Sequence, residues 1–269
     1  MTLDNSSFNF QRLMGIVVAL PLFGLVFCIL WSFLFDYEVS LNFKSLWLYY
    51  LCTYLFQISF FFPKASTETH SEVDNFAPSI SAAIGSFSPQ KYVWQACIYL
   101  HIGPRFRFLF LYKQFYQAQL NLKILSTWLQ VHAAFFFNLF ELLALLGLTL
   151  VSSQDDSDIH KVCFVVFGLS GLAYFTITWY IWRFCLEKTN DQKISLKTKA
   201  RALKTFLSCG LLMSYFYYRH NEFCEPYVYS LFSLCEYVMV GANMWFHSTA
   251  SNDLGHKKGA TISYLPLYQ

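Results

Sequence analysis

Three short polar patterns interrupt a chain that is otherwise strongly apolar. The first is YLHIGPRF at 99–106, in which His101 and Arg105 stand four residues apart and so share one face of a helix. Pro104 between them is expected to kink that helix and free a backbone carbonyl. The second is NLFE at 138–141, in which Asn138 and Glu141 are three apart, again on one face. In the third, Glu236, Asn243 and His247 follow one another at spacings of seven and four, a single stripe at helical period. Ionisable groups inside apolar sequence are costly to bury and are functional candidates by default. An imidazole can take the proton of a hydroxyl. A guanidinium can hold a phosphate through paired N–H bonds. Carboxylates at membrane depth either pair with the arginine or stay protonated.

A second polar set stands at the ends of the apolar runs. His160 follows the acidic stretch SSQDDSDI, and Arg219, His220 and Asn221 close another run just before Cys224 and Glu225. Together they form a polar rim suited to a lipid phosphate or a glycan core, although singly such residues often only snorkel or meet head-groups. His101 and His220 are the candidate bases. Arg105, Asn138, Glu141, His160, Arg219, Asn221, Glu236, Asn243 and His247 are the candidate substrate- or lipid-binding residues. A competing reading makes Arg105, Glu141 and Glu236 a buried network that only fixes helix packing. His132 lies half a helical turn from Glu141 and stands outside the cluster. The chain has no GxSxG, HExxH or HxxxxD pattern and no histidine pair at zinc spacing, so neither a metal nor a cofactor is expected.

The elements that must position these residues are set by composition. Of the 269 residues, 56% are hydrophobic, 20% aromatic and only 13% charged, about half the charge of a soluble globular chain. That excludes a soluble enzyme, a disordered tail protein and a disulfide scaffold. The net charge of +3 is too small to point to nucleic acid. The eight cysteines form no CxxC pair and mostly lie in apolar runs, where free cysteine acts as a small hydrophobe.

Crossing a bilayer takes about 20 apolar residues. Six runs meet that need, at 13–35, 92–116, 124–151, 162–184, 202–218 and 227–249, several edged by Trp or Tyr as membrane interfaces favour. The first is too long for a signal-peptide core, and no cleavage site follows it, so it reads as a signal anchor. The expected architecture is therefore all-α, a polytopic membrane helix bundle forming a single domain over 1–269. Lys188, Lys193, Lys197, Lys199 and Arg201 crowd one loop, Lys113 and Lys123 another, and Lys257 and Lys258 the tail. The positive-inside rule makes these regions cytosolic, the acidic 152–160 and 219–226 turns lumenal, and both termini cytosolic. Counted from the lumenal ends, His101, Glu141 and Glu236 all lie about 14–15 Å deep, with Arg105 one turn deeper.

Residues 36–91 form the expected first lumenal loop, but 46–62 is a further apolar run bracketed by Lys44 and Lys64. It fits an interfacial, a re-entrant or a seventh-span helix alike. The stretch from Val39 to about Lys64 also reads as a translated intron, since Val-Ser can be encoded by a splice-donor consensus and SFFFP by a pyrimidine tract. The polar tail, 250–269, contains Tyr264-Leu265-Pro266-Leu267, a tyrosine-x-x-hydrophobic sorting pattern.

At these same residues the chain resembles the Frag1/DRAM/Sfk1 family of membrane proteins. The resemblance is carried by FCILWSFLF (27–35), DNFAPSISAAIG (74–85), PQKYVWQACIYLHIGPRF (89–106), NLFELLALLGLTLVSS (138–153), YYRHNEFCEPYVYSLFSLCEYVMV (217–240) and ANMWFHSTA (242–250). It is specific in the LHxxPRF and RHNxxCExxVY elements, while the stretch from about Val39 to Lys64 departs from the family pattern. The resemblance implies a multi-pass protein of the Golgi or endoplasmic reticulum membrane. It implies a role in glycosylphosphatidylinositol (GPI) anchor maturation, where a lyso-GPI intermediate is reacylated with a saturated fatty acid. The implied partners are the lipid anchor of GPI-anchored proteins and an acyl donor. A non-catalytic, lipid-binding or regulatory protein of the autophagy-modulator type is the alternative that the same family suggests.

Overall fold

A computed structural model of the chain describes residues 4–35, 73–85 and 87–254. The apolar run at 46–62, the 39–64 stretch and the Tyr264 motif lie outside them. Among the described residues the fold is entirely helical. The elements are α1 (Asp4–Phe35), α2 (Ile80–Gly85), α3 (Gln90–Gln119), α4 (Leu125–Leu150), α5 (Ser157–Tyr180), α6 (Asn190–Phe223), α7 (Val228–Ser248) and α8 (Ala250–Leu254). The end of α5 widens into a π-helical turn over Ile181–Cys185.

Short turns at 120–124, 151–156, 186–189 and 224–227 make α3 to α7 antiparallel neighbours. The α6–α7 and α4–α5 hairpins are the most extensive packing units, and α1 lies along α3. Local chemistry sets the helix ends. The Asp156 carboxylate accepts from the backbone N–H groups of Asp158 and Ile159, an ordinary N-cap. Thr189 and Gln192 form a reciprocal capping box at the start of α6, satisfying two of its open donors. The turn between α6 and α7 is unusual in holding two non-glycine residues at positive φ, Cys224 at 49° and Tyr227 at 67°. The Tyr227 N–H donates to the Asp74 carbonyl at 2.8 Å, which ties this turn to the segment before α2. The turns at 151–156 and 224–227, with α2, define the upper end of the bundle. The turns at 120–124 and 186–189, with α8, define its lower end.

The distribution of polarity is inverted relative to a water-soluble protein. Large apolar side chains stand exposed on all six long helices, including Leu30 on α1, Leu100 on α3, Leu129 on α4, Leu169 on α5, Leu211 on α6 and Val238 on α7. Arg105, Glu141, Lys199, Glu236 and Asp253 are buried instead. Leu13–Phe35, Leu125–Leu150 and Ser157–Cys185 are each long and apolar enough to cross a membrane. The remaining long helices, α3, α6 and α7, have 30, 34 and 21 residues, lengths of about 30 Å or more at 1.5 Å per residue. They also carry half of the buried polar and charged side chains among the described residues.

Two features depart from the sequence expectation at the lower end. Lys199 is not a loop residue in water: α6 is helical from Asn190, and the Lys199 side chain is fully buried. The tail also does not begin as solvated chain. Residues 250–254 form α8, whose Asp253 accepts from Lys199 Nζ at 2.5 Å, Tyr112 Oη at 2.6 Å and Ser195 Oγ at 2.6 Å. Lys199 also donates to Thr249 Oγ1 at 2.7 Å and lies over the Trp182 ring. Both charges are thus paired and hydrogen-bonded, as burial requires.

Candidate functional site

Glu141 is the hub of the interior. Its Oε1 accepts from Arg105 Nη2 at 3.2 Å, Asn243 Nδ2 at 2.8 Å and His247 Nε2 at 2.9 Å. Arg105 Nη2 also reaches Asn138 Oδ1 at 3.3 Å. The polar patterns of α3, α4 and α7 thus converge on one carboxylate oxygen, through the i, i+3 and i, i+4 spacings that put each pair on one face. Aromatic packing sets the His247 ring, which stacks on Tyr174 at 5.6 Å and 11° and meets Phe175 edge-on. α5 passes close by at Gly171, whose Cβ position lies 3.8 Å from the Glu141 carboxyl carbon and 3.4 Å from Phe206, ordinary contact distances. Among the described residues, Glu141 Oε2 has no hydrogen-bond partner.

His101 lies one turn above Arg105, and its ring stands beside the Val17 carbonyl of α1. The sequence supplies that carbonyl. Pro21, four residues on, has no N–H to donate to it. The Nδ1 of His101 is buried with no partner among the described residues. Pro104 does not interrupt α3, which runs on to Gln119.

A cavity of about 70 Å³ runs beside these groups. His101, Arg105, His160, Glu236, Asn243 and His247 all line it, among apolar walls from Trp94, Ile98, Leu148 and Phe164. Glu236 does not join the Arg105 network. Its Oε2 instead accepts the Ile80 N–H of α2 at 2.8 Å. Other side chains of α7 hold the same segment: Ser230 Oγ accepts from the Phe76 and Ala77 N–H groups, Tyr229 donates to Ser79 Oγ, and Tyr237 donates to the Pro78 carbonyl. The 73–85 segment is therefore strapped across the top of the cavity.

The rim residues separate. His160 reaches the cavity, with Nδ1 at 2.7 Å from the Val151 carbonyl and Nε2 at 2.8 Å from Ser81 Oγ. The other three are occupied within the α6–α7 turn. Arg219 makes a two-pronged ion pair with Glu225 and reaches the Tyr215 hydroxyl. Asn221 donates to the Tyr217 carbonyl at 2.8 Å. His220 packs against the Tyr229 ring at 5.2 Å. Of the two histidines expected as bases, only His101 lines the cavity. His132 is half-buried and bonded to the Trp128 carbonyl of its own helix. Sequence reasoning missed Ser81, which sits in a run of small residues with no polar signature. It also missed the Lys199–Asp253 cluster, whose members read as topogenic charge and polar tail.

Inverted polarity, apolar helices and a buried charged network beside a cavity define a polytopic helical membrane protein with a polar interior site. The chain belongs to the Frag1/DRAM/Sfk1/Cwh43P N-terminal domain family, whose pattern matches residues 39–257, so the 39–64 stretch read from sequence as departing from that pattern falls within the match. Its relatives include an acyltransferase PGAP2 of Xenopus tropicalis, 35% identical over 243 residues, which are 90% of this chain and 86% of the relative. The post-GPI attachment to proteins factor 2 of Caenorhabditis briggsae is 36% identical over 208 residues, 74% of this chain and 77% of its own. That of Drosophila melanogaster is 33% identical over 245 residues, 90% and 84% of the two chains. No solved structure matches.

Proposed function

We propose that this chain reacylates lyso-GPI anchors in the membranes of the Golgi or endoplasmic reticulum, and so supports stable surface display of GPI-anchored proteins. The names of its relatives, acyltransferase PGAP2 and post-GPI attachment to proteins factor 2, support the pathway. The observation that carries the chemistry is that His101, whose Nδ1 has no hydrogen-bond partner among the described residues, lines a mostly apolar cavity together with Arg105. In a direct transfer, the glycerol hydroxyl of the lyso-lipid hydrogen-bonds to that nitrogen and gives up its proton there. Arg105 attracts the anchor phosphate by charge, while Glu141, Asn138, Asn243 and His247 hold the guanidinium in place.

All six long helices cross the membrane in this reading, with the upper end lumenal and both termini cytosolic. The end of α1 and the 73–85 strap stand at the same end of the bundle, since α1 packs on α2 and Leu25 and Cys28 share a cluster with Ile80. That parity supports six crossings. Arg219 and Asn221 then belong to the lumenal end, away from the reacting atoms, while the buried His220 packs inside that turn.

The test is rescue of null cells. His101→Ala is expected to reach its compartment yet fail to restore surface GPI-anchored proteins or the saturated acyl chain in their anchors. Arg105→Lys is expected to lose most of both. Full restoration by both variants would make the buried site structural only and would favour the non-catalytic reading.

A further inference from the structure

We propose that Ser81 is the nucleophile that carries the acyl chain between donor and acceptor, with His160 as its general base. The inference rests on the acyl-transfer reading above and deepens it from a direct to a two-step transfer.

The Val151 carbonyl can only accept, so Nδ1 of His160, at 2.7 Å, must hold the ring hydrogen. Nε2 is then a lone pair, and Ser81 Oγ at 2.8 Å donates its proton to it. This is the arrangement of nucleophile, base and orienting acceptor that activates a serine hydroxyl. A backbone carbonyl takes the orienting role, so no third polar side chain is needed and no sequence pattern betrays the pair. Ser81 and His160 both line the cavity that holds His101 and Arg105. Their placement is built rather than incidental. The strap that carries Ser81 is fixed by Glu236, Tyr229, Tyr237 and Ser230. The neighbouring Ser79 shows the contrast: its hydroxyl oxygen is occupied by the Ala82 N–H and the Tyr229 hydroxyl.

The donor is an activated acyl carbonyl, either a fatty-acyl thioester or the ester of a glycerolipid. In the first half-reaction Ser81 Oγ attacks that carbonyl while its proton moves to His160 Nε2. The bond from the acyl carbon to the donor's sulfur or oxygen breaks, and the leaving thiol or alcohol takes the proton from His160. In the second half-reaction the acceptor hydroxyl, oriented by His101, attacks the acyl-serine carbonyl. Its proton passes to His160 and then to Ser81 Oγ as the serine ester breaks.

The test uses the full chain in nanodiscs, in two arms: stearoyl-coenzyme A, or phosphatidylcholine carrying labelled stearate. Each arm is quenched without acceptor and after lyso-GPI is added, and the peptide containing Ser81 is read by mass spectrometry. An acyl group on Ser81 in either arm, discharged when lyso-GPI is added, is expected, and the arm that shows it identifies the donor. Ser81→Ala is expected to abolish the adduct, and His160→Gln to slow its formation by roughly 10²–10⁴-fold. Ser81→Cys is expected to give an adduct cleaved by neutral hydroxylamine, which keeps the test decisive if the alanine variant fails to fold. Product formation with no adduct, or at the wild-type rate in Ser81→Ala, would overturn the role of Ser81 and leave the acyl-transfer reading standing. An adduct that lyso-GPI does not discharge would uphold Ser81 as an acyl carrier and sink the lyso-GPI reading. Neither adduct nor product in either arm would overturn both.

Discussion

Glu141 and Glu236 are both buried carboxylates that face the same interior, yet they have different partners. Glu141 neutralises Arg105 and takes two further hydrogen bonds on the same oxygen. Glu236 takes a backbone N–H, which a neutral acceptor can also satisfy. Glu141→Gln leaves the buried guanidinium without a counter-charge, a loss of about 3–5 kcal/mol. Glu236→Gln keeps an oxygen for the Ile80 N–H and is expected to cost about 1 kcal/mol or less. Thermal unfolding of the two variants in detergent measures the difference, and equal losses would contradict the assignment. The sequence made part of this legible: with one arginine at that depth, only one carboxylate can be well paired. It did not show which, because the partner of Glu236 comes from a strap 156 residues earlier in the chain. The Ser81–His160 pair was hidden for the same reason, its members being 79 residues apart.

Helical periodicity placed the α3, α4 and α7 stripes well, because 3.6-residue geometry fixes which spacings share a face. Lys199 and Asp253 escaped it. Lys199 stands in a basic stretch whose other members serve the positive-inside rule, and Asp253 stands in a polar tail. What unites them is the packing of α8 against α6, a tertiary event with no local signal. The pair clamps the lower end of the bundle through Tyr112, Ser195 and Thr249. Asp253→Ala is expected to cost about 3–5 kcal/mol by leaving a buried ammonium unpaired. The double variant Lys199→Met, Asp253→Leu is expected to recover part of that, since neither charge is then stranded. Unfolding midpoints of the single and double variants supply the check, and additive losses would refute the clamp.

At the scale of the whole molecule, composition alone identified a helical membrane bundle, because too little charge is available to coat the surface with water-facing groups. The structure adds that α1 packs on α2, which puts the end of α1 and the 73–85 strap at one end of the bundle. The proposed six-span arrangement puts the Asn5-Ser6-Ser7 sequon on the cytosolic side. Asn5 is expected to stay unglycosylated in cells, while a sequon engineered into the 151–156 turn is expected to acquire a glycan. Glycans on both Asn5 and the 151–156 turn would place both in the lumen and require an odd number of crossings.

Acyl transfer by the buried site is tested most directly with the purified chain in nanodiscs, supplied with lyso-GPI and an acyl donor and scored for diacyl product. Wild-type protein is expected to form product, with His101→Ala slowed by roughly 10²–10⁴-fold at an unchanged unfolding midpoint. No product from wild type with either a thioester or a phospholipid donor, while lyso-GPI still binds, would contradict it and leave a lipid-binding membrane protein.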